Sequence, residues 1–340
     1  ERQSQTLPWF LRVSGWTCED DCGYRCMHSL EVARTKAGFQ PAKFGGKWSF
    51  VRVVGVQEFI SSTASIANGA VHAWYLQSML RHRRSWMAKA ATSGRVGAMA
   101  AGGGCGGGSV VGGGVINGVI SAGEGGGAGA GSPFATLWMC IAWVSINAWV
   151  WSCIFHARDT STTRTMDYAS ANVLFFFSLF ASVTRAAGWR SPRQWGPFAA
   201  LCVAALLAHW AHMFLHGYNF SLNILVCIAA FVATWTTLLY WAVRSRHPGR
   251  RALALCCGTL CIAGTAEVWD FPPAWGLLDA HALWHCVTPG CVWLWYRFVE
   301  ADCVMWGGAG GDANPGDEPR RGGAQGGHAD GSGHGRGPSG

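Results

Sequence analysis

Uncharged stretches of roughly membrane-spanning length recur along the chain, each closed by charge, Pro or Gly. Phe134 to Phe155 contains no charged residue. At about 1.5 Å of rise per residue, a helix of that length crosses a hydrocarbon core of roughly 30 Å. Comparable runs cover Tyr168 to Thr184, Pro197 to Leu215, Phe220 to Val243, Ala252 to Ala266 and Ala280 to Tyr296. Phe59 to Leu80 is uncharged too, although its Ser, Asn, His and Gln residues make it the least apolar of the set. The pattern predicts seven spans. Backbone polar groups in lipid must bond within their own segment, so the spans are read as packed helices rather than strands. The expected fold is an all-α membrane protein, a seven-transmembrane helix bundle. A soluble helical protein with buried core helices is the alternative.

Basic residues distribute unevenly between the connections. Arg81, Arg83, Arg84, Lys89 and Arg95 follow the first span, Arg185, Arg190 and Arg193 the third, and Arg244, Arg246, Arg250 and Arg251 the fifth. The other loops are poorer in them, holding Arg158 and Arg164 with Asp159, then no charge from Gly217 to Asn219, then Asp270 and Asp279. Lys and Arg favour the cytosolic side, which predicts a lumenal N-terminus and a cytosolic C-terminus. The formal net charge of +8 is then mostly a topological signal, and no nucleic-acid partner is called for. A lumenal N-terminus needs a signal peptide, so a chain that starts at Glu1 is read as a mature form or a fragment.

Residues 1–50 form a polar, Cys-containing lumenal segment with Cys18, Cys22 and Cys26. In an oxidising lumen these are expected to be disulfide-bonded, with at least one partner elsewhere because three is odd. A zinc knuckle is the rival, but there is no CxxC pair and no fourth ligand. The seven-transmembrane domain is placed at 51–303, interrupted by a Gly-rich cytosolic insert at 81–132. That insert is expected to be a flexible linker, and the Gly-rich tail, 304–340, to be disordered. Gly clusters in the insert lack the GxxxxGKS/T pattern and a preceding strand, which argues against a phosphate loop.

Five residues carry candidate chemistry. Ser152 and His156 close one uncharged stretch at helical i,i+4 spacing, Asp167 opens the next, and His281 and His285 open the last at the same spacing. Ionisable groups within membrane spans mark function by default. Two histidines one turn apart converge on one metal, and a third from a neighbouring helix leaves the fourth position of a zinc site open for water. Such a site lowers the pKa of bound water to about 7. His156, His281 and His285 are therefore the expected Zn2+ ligands. Asp167 is placed to orient or deprotonate the water, and Ser152 to donate a hydrogen bond to a developing oxyanion. A nucleophilic triad of Ser152, Asp167 and His156 or His281 competes with this, but it leaves histidines without a role and lacks a GxSxG elbow. His209 and His212 read as core or interface histidines. Glu267 and Asp270 read as positioning the turn Phe271-Pro272-Pro273, with a supporting bond to a ligand His as the alternative. Glu58 is interfacial or assists the site.

Several motifs resemble the Per-like family of GPI-anchor lipid-remodelling phospholipases. They are Gly15-Trp16-Thr17-Cys18-Glu19-Asp20-Asp21-Cys22 with Tyr24, Cys26 and Met27; Gly46-Lys47-Trp48; Gln57-Glu58; Trp151-Ser152 with Phe155-His156; Met166-Asp167-Tyr168; Gly217-Tyr218-Asn219; and Asp270-Phe271-Pro272-Pro273 leading to His281 and His285. More distantly, the chain resembles the CREST superfamily of seven-helix hydrolases, which includes alkaline ceramidases and adiponectin-receptor-like proteins, and in which Ser, Asp and three His positions form the zinc site. Ser49 and Phe59 stand where the family carries Pro, and Arg164 where it carries an acidic residue. The resemblance implies removal of the sn-2 acyl chain from the phosphatidylinositol of GPI-anchored proteins, in an ER or Golgi membrane, with those proteins and membrane lipids as partners. Ceramide amide hydrolysis and a non-catalytic receptor or assembly factor are the rival functions.

Overall fold

A computed structural model describes residues 7–101 and 132–308. The tail beyond 308, and the part of the Gly-rich insert from 102 to 131, lie outside the described residues. The elements are α1 (Trp9–Val13), α2 (Cys18–Lys36), β1 (Lys43–Phe44), β2 (Lys47–Trp48), α3 (Phe59–Ala101), α4 (Ala135–Ala157), α5 (Ser161–Ala187), α6 (Pro192–His216), α7 (Phe220–Arg244), α8 (Arg250–Trp269) and α9 (Ala280–Gly308).

Local chemistry sets most of these boundaries. A capping box of Thr17 and Asp20 opens α2, and one of Thr160 and Thr163 opens α5. Pro192 at the first turn of α6 follows a Ser191–Gln194 box. Asn219 accepts from the Leu222 N–H at the start of α7. Gly188, with φ +69°, ends α5. Because the Thr160 box lies ahead of the apolar run, α5 begins well before Tyr168, and Asp167 sits in its second turn rather than opening it. In the same way α3 continues from its uncharged stretch into the Gly-rich insert as far as Ala101.

Five helices, α4 to α8, are long and apolar enough to cross a membrane, which makes this a multi-pass membrane protein. Large apolar side chains such as Leu201, Leu207, Phe214, Leu225, Ile228 and Ile262 project outward from α6, α7 and α8, as a lipid-facing surface requires. The expected seven is not met on this criterion, because α3 and α9 are not among the five. In α3 the reason is visible: Ser61, Ser62, Ser65, Asn68 and His72 are all buried. They recur every three or four residues and form a polar stripe turned into the bundle.

Helix α3 packs on α4 and α9, α9 on α8, α4 on α5, and α5 on α6 and α7. The apolar core lies toward one end, built from Tyr75, Trp138, Leu238, Leu253, Tyr296 and Phe298. The N-terminal segment covers the other end. There α2 and the β1–β2 hairpin pack beside the loop that joins α8 to α9. Gly45 and Gly46, with φ of +58° and +87°, make the two-residue hairpin turn, a conformation open to few other residues. Asp270, at φ +49° after the last turn of α8, is held by Lys43 and by Trp48 Nε1 at 2.9 Å. Cys18, Cys22 and Cys26 are exposed and unpaired on successive turns of α2, so the expected disulfides are not present among the described residues.

Candidate metal centre

The C-terminal end of α4 and the N-terminal end of α9 meet beneath the N-terminal segment. The last carbonyls of a helix lack intrahelical partners. In α4 two of them are taken by the segment entering α3: the Gln57 N–H bonds Ala157 O at 3.0 Å and the Glu58 N–H bonds His156 O at 2.9 Å. At α9, the Asp279 carboxylate accepts the Ala282 N–H at 2.7 Å, an N-cap that orders the turn carrying His281.

These two helix ends bring His156, His281 and His285 together. His281 Nε2 lies 3.3 Å from His156 Nε2 and 3.0 Å from His285 Nε2, and one nitrogen from each of the three falls within a 4.8 Å cluster. Each outer nitrogen is occupied. His156 Nδ1 is 2.6 Å from Glu58 Oε2, His281 Nδ1 is 2.8 Å from Glu267 Oε1, and His285 Nδ1 is 3.1 Å from Ser65 Oγ. Carboxylates only accept, so Glu58 and Glu267 fix the Nδ1–H form of their histidines. Ser65 gives its own proton to Ser61 O at 2.7 Å, so it too must accept from His285. With the outer nitrogens protonated, all three Nε2 atoms present lone pairs to one another, an arrangement suited to a shared cation.

The residues fit a metal ion. With Zn–N bonds of about 2.0–2.1 Å, nitrogens on a tetrahedron stand about 3.3 Å apart, against the 3.0 and 3.3 Å found here. Partners that orient each ligand through its outer nitrogen are the usual companions of such a centre. His156 and His285 are buried, whereas the His281 side chain is 39% exposed, so the cluster opens on the His281 side.

Around this triad the hairpin supplies Lys47, whose ammonium bonds Glu58 at 2.7 Å and Asp159 at 2.9 Å and lies 4.1 Å from the centre of the Phe155 ring. Burial pushes the Glu58 carboxyl up, but His156 and the Lys47 ammonium outweigh it and hold it below the usual carboxylate range. Burial pulls Lys47 down, and Glu58 and Asp159 overcome this to raise it.

The structure places the other two candidates beside the cluster. Ser152 is buried, and its Oγ meets Ser65 Oγ at 3.2 Å; it reaches His285 through Ser65 rather than directly. Asp167 is half-buried on α5, the helix that packs beside α4. Its carboxylate takes no hydrogen bond from a protein group among the described residues. Next to it, Tyr168 stacks on Tyr218 at 5.1 Å. Glu267 therefore holds a histidine, while Asp270 ties the hairpin to the end of α8. His209 is a satisfied interior histidine, bonded at 3.1 Å to Asn223, which also accepts from Asn172 at 3.0 Å. His212 faces outward beside His216. Ser65 was not a sequence candidate; it belongs to the polar stripe of α3 that the structure buries.

A family model described as the Per1-like family matches residues 8–303. The chain is 30% identical over 299 residues to the mouse (Mus musculus) GPI-specific phospholipase A2-like PGAP3, covering 87% of this chain and 79% of that protein. It is 30% identical over 301 residues to the protein of the same name from Homo sapiens, with 87% and 79% covered. Against the post-GPI attachment to proteins factor 3 of Drosophila melanogaster the identity is 29% over 293 residues, with 86% and 76% covered. No solved structure matches the chain. The family match extends across the N-terminal segment, both helix ends that gather the histidines and the loop between α8 and α9, and on that extent the chain belongs to the Per1-like family.

Proposed function

We propose that this protein is a zinc-dependent acyl-ester hydrolase that removes the sn-2 chain from the phosphatidylinositol of GPI-anchored proteins. The observation that carries the reading is the set of three inward-facing Nε2 atoms, each with its outer nitrogen fixed by a separate partner. The substrate class rests on relatives named GPI-specific phospholipase A2-like. In this reading α3 and α9 also cross the bilayer, giving seven spans. The basic loops face the cytosol, and the histidines lie under the lumenal leaflet of an ER or Golgi membrane, where GPI-anchored proteins are held.

His156, His281 and His285 hold the ion. A bound zinc supplies Lewis acidity and makes water a competent nucleophile near neutral pH. Asp167, whose carboxylate takes no hydrogen bond from a protein group among the described residues, accepts the proton of the attacking water. The Ser152 hydroxyl turns from Ser65 to the carbonyl oxygen of the ester as negative charge develops there. Glu58, Glu267 and Ser65 keep the imidazoles in one tautomer and orientation throughout. The tightly packed His156 and His285 side excludes water, and the ester enters past His281.

Purified protein incubated with a GPI-anchored protein should release a free fatty acid and leave a lyso-GPI, and metal analysis should find one zinc per chain. Cleavage of ceramide instead would move the reading to amide hydrolysis. Cleavage of neither, with zinc present, would reduce the metal to a structural role.

A further inference from the structure

The geometry points to a second binding site above the metal centre: a pocket in the N-terminal segment that takes a sugar ring of the GPI glycan. This rests on the GPI reading given above and specifies how the substrate is recognised. The pocket has a volume of about 260 Å³, and its walls include His28 and Glu31 from α2, Trp48 from β2, and Pro272, Pro273 and Trp275 from the α8–α9 loop. That volume is near the lower end, about 300 Å³, of pockets that bury small molecules.

Adjacent residues of a strand point to opposite faces. Lys47 turns toward the metal centre and bonds Glu58, while its neighbour Trp48 turns toward the pocket. Two consecutive residues thus serve the site on one face of the hairpin and the pocket on the other. In a GPI lipid the glycan leaves the inositol phosphate on the side away from the acyl chains, so an ester held at the histidines directs the sugars toward this segment.

The lining suits a sugar. Trp48 is held rigidly, its Nε1 on Asp270 at 2.9 Å and its ring 5.0 Å from Lys43 Nζ. Trp275 is 85% exposed at φ +54°, a backbone conformation that is uncommon and strained for a bulky side chain. The surrounding loop keeps it there: Val51 N–H bonds Gly276 O at 2.8 Å, and Ala274 pairs with Leu278. The Glu31 carboxylate lines the same pocket as these indoles. It receives no hydrogen bond from a protein group among the described residues, and Arg34 Nε is 4.0 Å away. Aromatic faces stack on the C–H face of a sugar, and a carboxylate with free lone pairs accepts its hydroxyl or amine protons. An acyl chain or bilayer surface would be poorly served by a carboxylate in the wall.

The test uses the full chain in detergent, with two probes. One is the water-soluble glycan-inositol phosphate headgroup released from a GPI; the other is phosphatidylinositol without glycan. The headgroup should bind the wild type by saturation-transfer NMR, and Trp275→Ala and Glu31→Gln should each weaken that binding roughly tenfold. Both should raise KM for the GPI substrate by a similar factor, leaving kcat, bound zinc and turnover of phosphatidylinositol unchanged. The inference is overturned if the headgroup does not bind the wild type. It is also overturned if either variant binds it as the wild type does, or if Trp275→Ala slows both substrates alike, which would make Trp275 a membrane anchor. Headgroup binding by a protein that cleaves no GPI would instead leave the pocket standing and remove the hydrolase.

Discussion

About 25 Å of helix separates His285 from Asp302 on α9, and the two residues anchor polar clusters of opposite construction. Asp302 is fully buried and accepts from Arg185 Nε and Nη2 at 2.9 and 2.5 Å, from Trp138 Nε1 at 2.9 Å and from His247 Nε2 at 3.2 Å. Its acceptor sites are filled by groups from α4, α5 and the α7–α8 turn, and the cluster is closed. Around His285 every outer group is just as well paired, yet the three inner nitrogens face one another with only lone pairs to offer. Burial and polarity alone therefore do not mark a functional site here. What separates the proposed site from the closed cluster is a rim that is complete around a centre that is not.

The largest expected effect breaks the incomplete cluster. His285→Ala should lose the metal and lower turnover by more than the roughly 10- to 100-fold that a supporting residue costs, with the protein still folded. Elemental analysis and the lyso-GPI assay check both parts together; full-rate turnover in a metal-free sample would remove the metal mechanism. The closed cluster should answer differently. Asp302→Ala leaves the Arg185 guanidinium buried without its carboxylate, at about 3–5 kcal/mol of stability. Thermal unfolding should show the loss, while the folded fraction keeps its zinc and its specific activity. Arg185→Met combined with Asp302→Leu should recover most of that stability, because a well-packed apolar pair of similar volume replaces a buried ion pair at little or no cost.

The contrast also explains what could be read from the chain before its structure. Helices showed as gaps in charge, and Ser152–His156 and His281–His285 as i,i+4 neighbours, because both are properties of one local segment. Boundaries set by polar caps were hidden from a search for apolar runs, so α5 starts at Ser161 and draws Asp167 into its second turn. The groups that orient the histidines come from three separate segments: Glu58 ahead of α3, Ser65 within it, and Glu267 on α8. No spacing rule links them to His156, His285 and His281. The serine stripe of α3 read as a poor membrane span, and it became intelligible only once it was seen to face the bundle. The Gly45-Gly46 hairpin was not anticipated from the chain, and that it delivers Lys47 to Glu58 is a tertiary fact.

The smaller effects grade the rim of the incomplete cluster by distance from its centre. Glu58→Gln keeps an oxygen that can accept the His156 Nδ1–H, but it removes the charge that strengthens this bond and binds Lys47. Metal affinity, measured by competition with a chelator, should fall roughly 10- to 100-fold. Lys47→Met leaves the Glu58–His156 bond in place and takes away only the ammonium one step further out, so its effect should stay under the roughly tenfold floor of that range. If Lys47→Met instead matches or exceeds Glu58→Gln, the hairpin does more than steady a carboxylate. Lys47 would then hold the N-terminal segment in place over the centre through Asp159 as well as Glu58, and the rim would include the whole β1–β2 turn rather than the outer nitrogens' immediate partners.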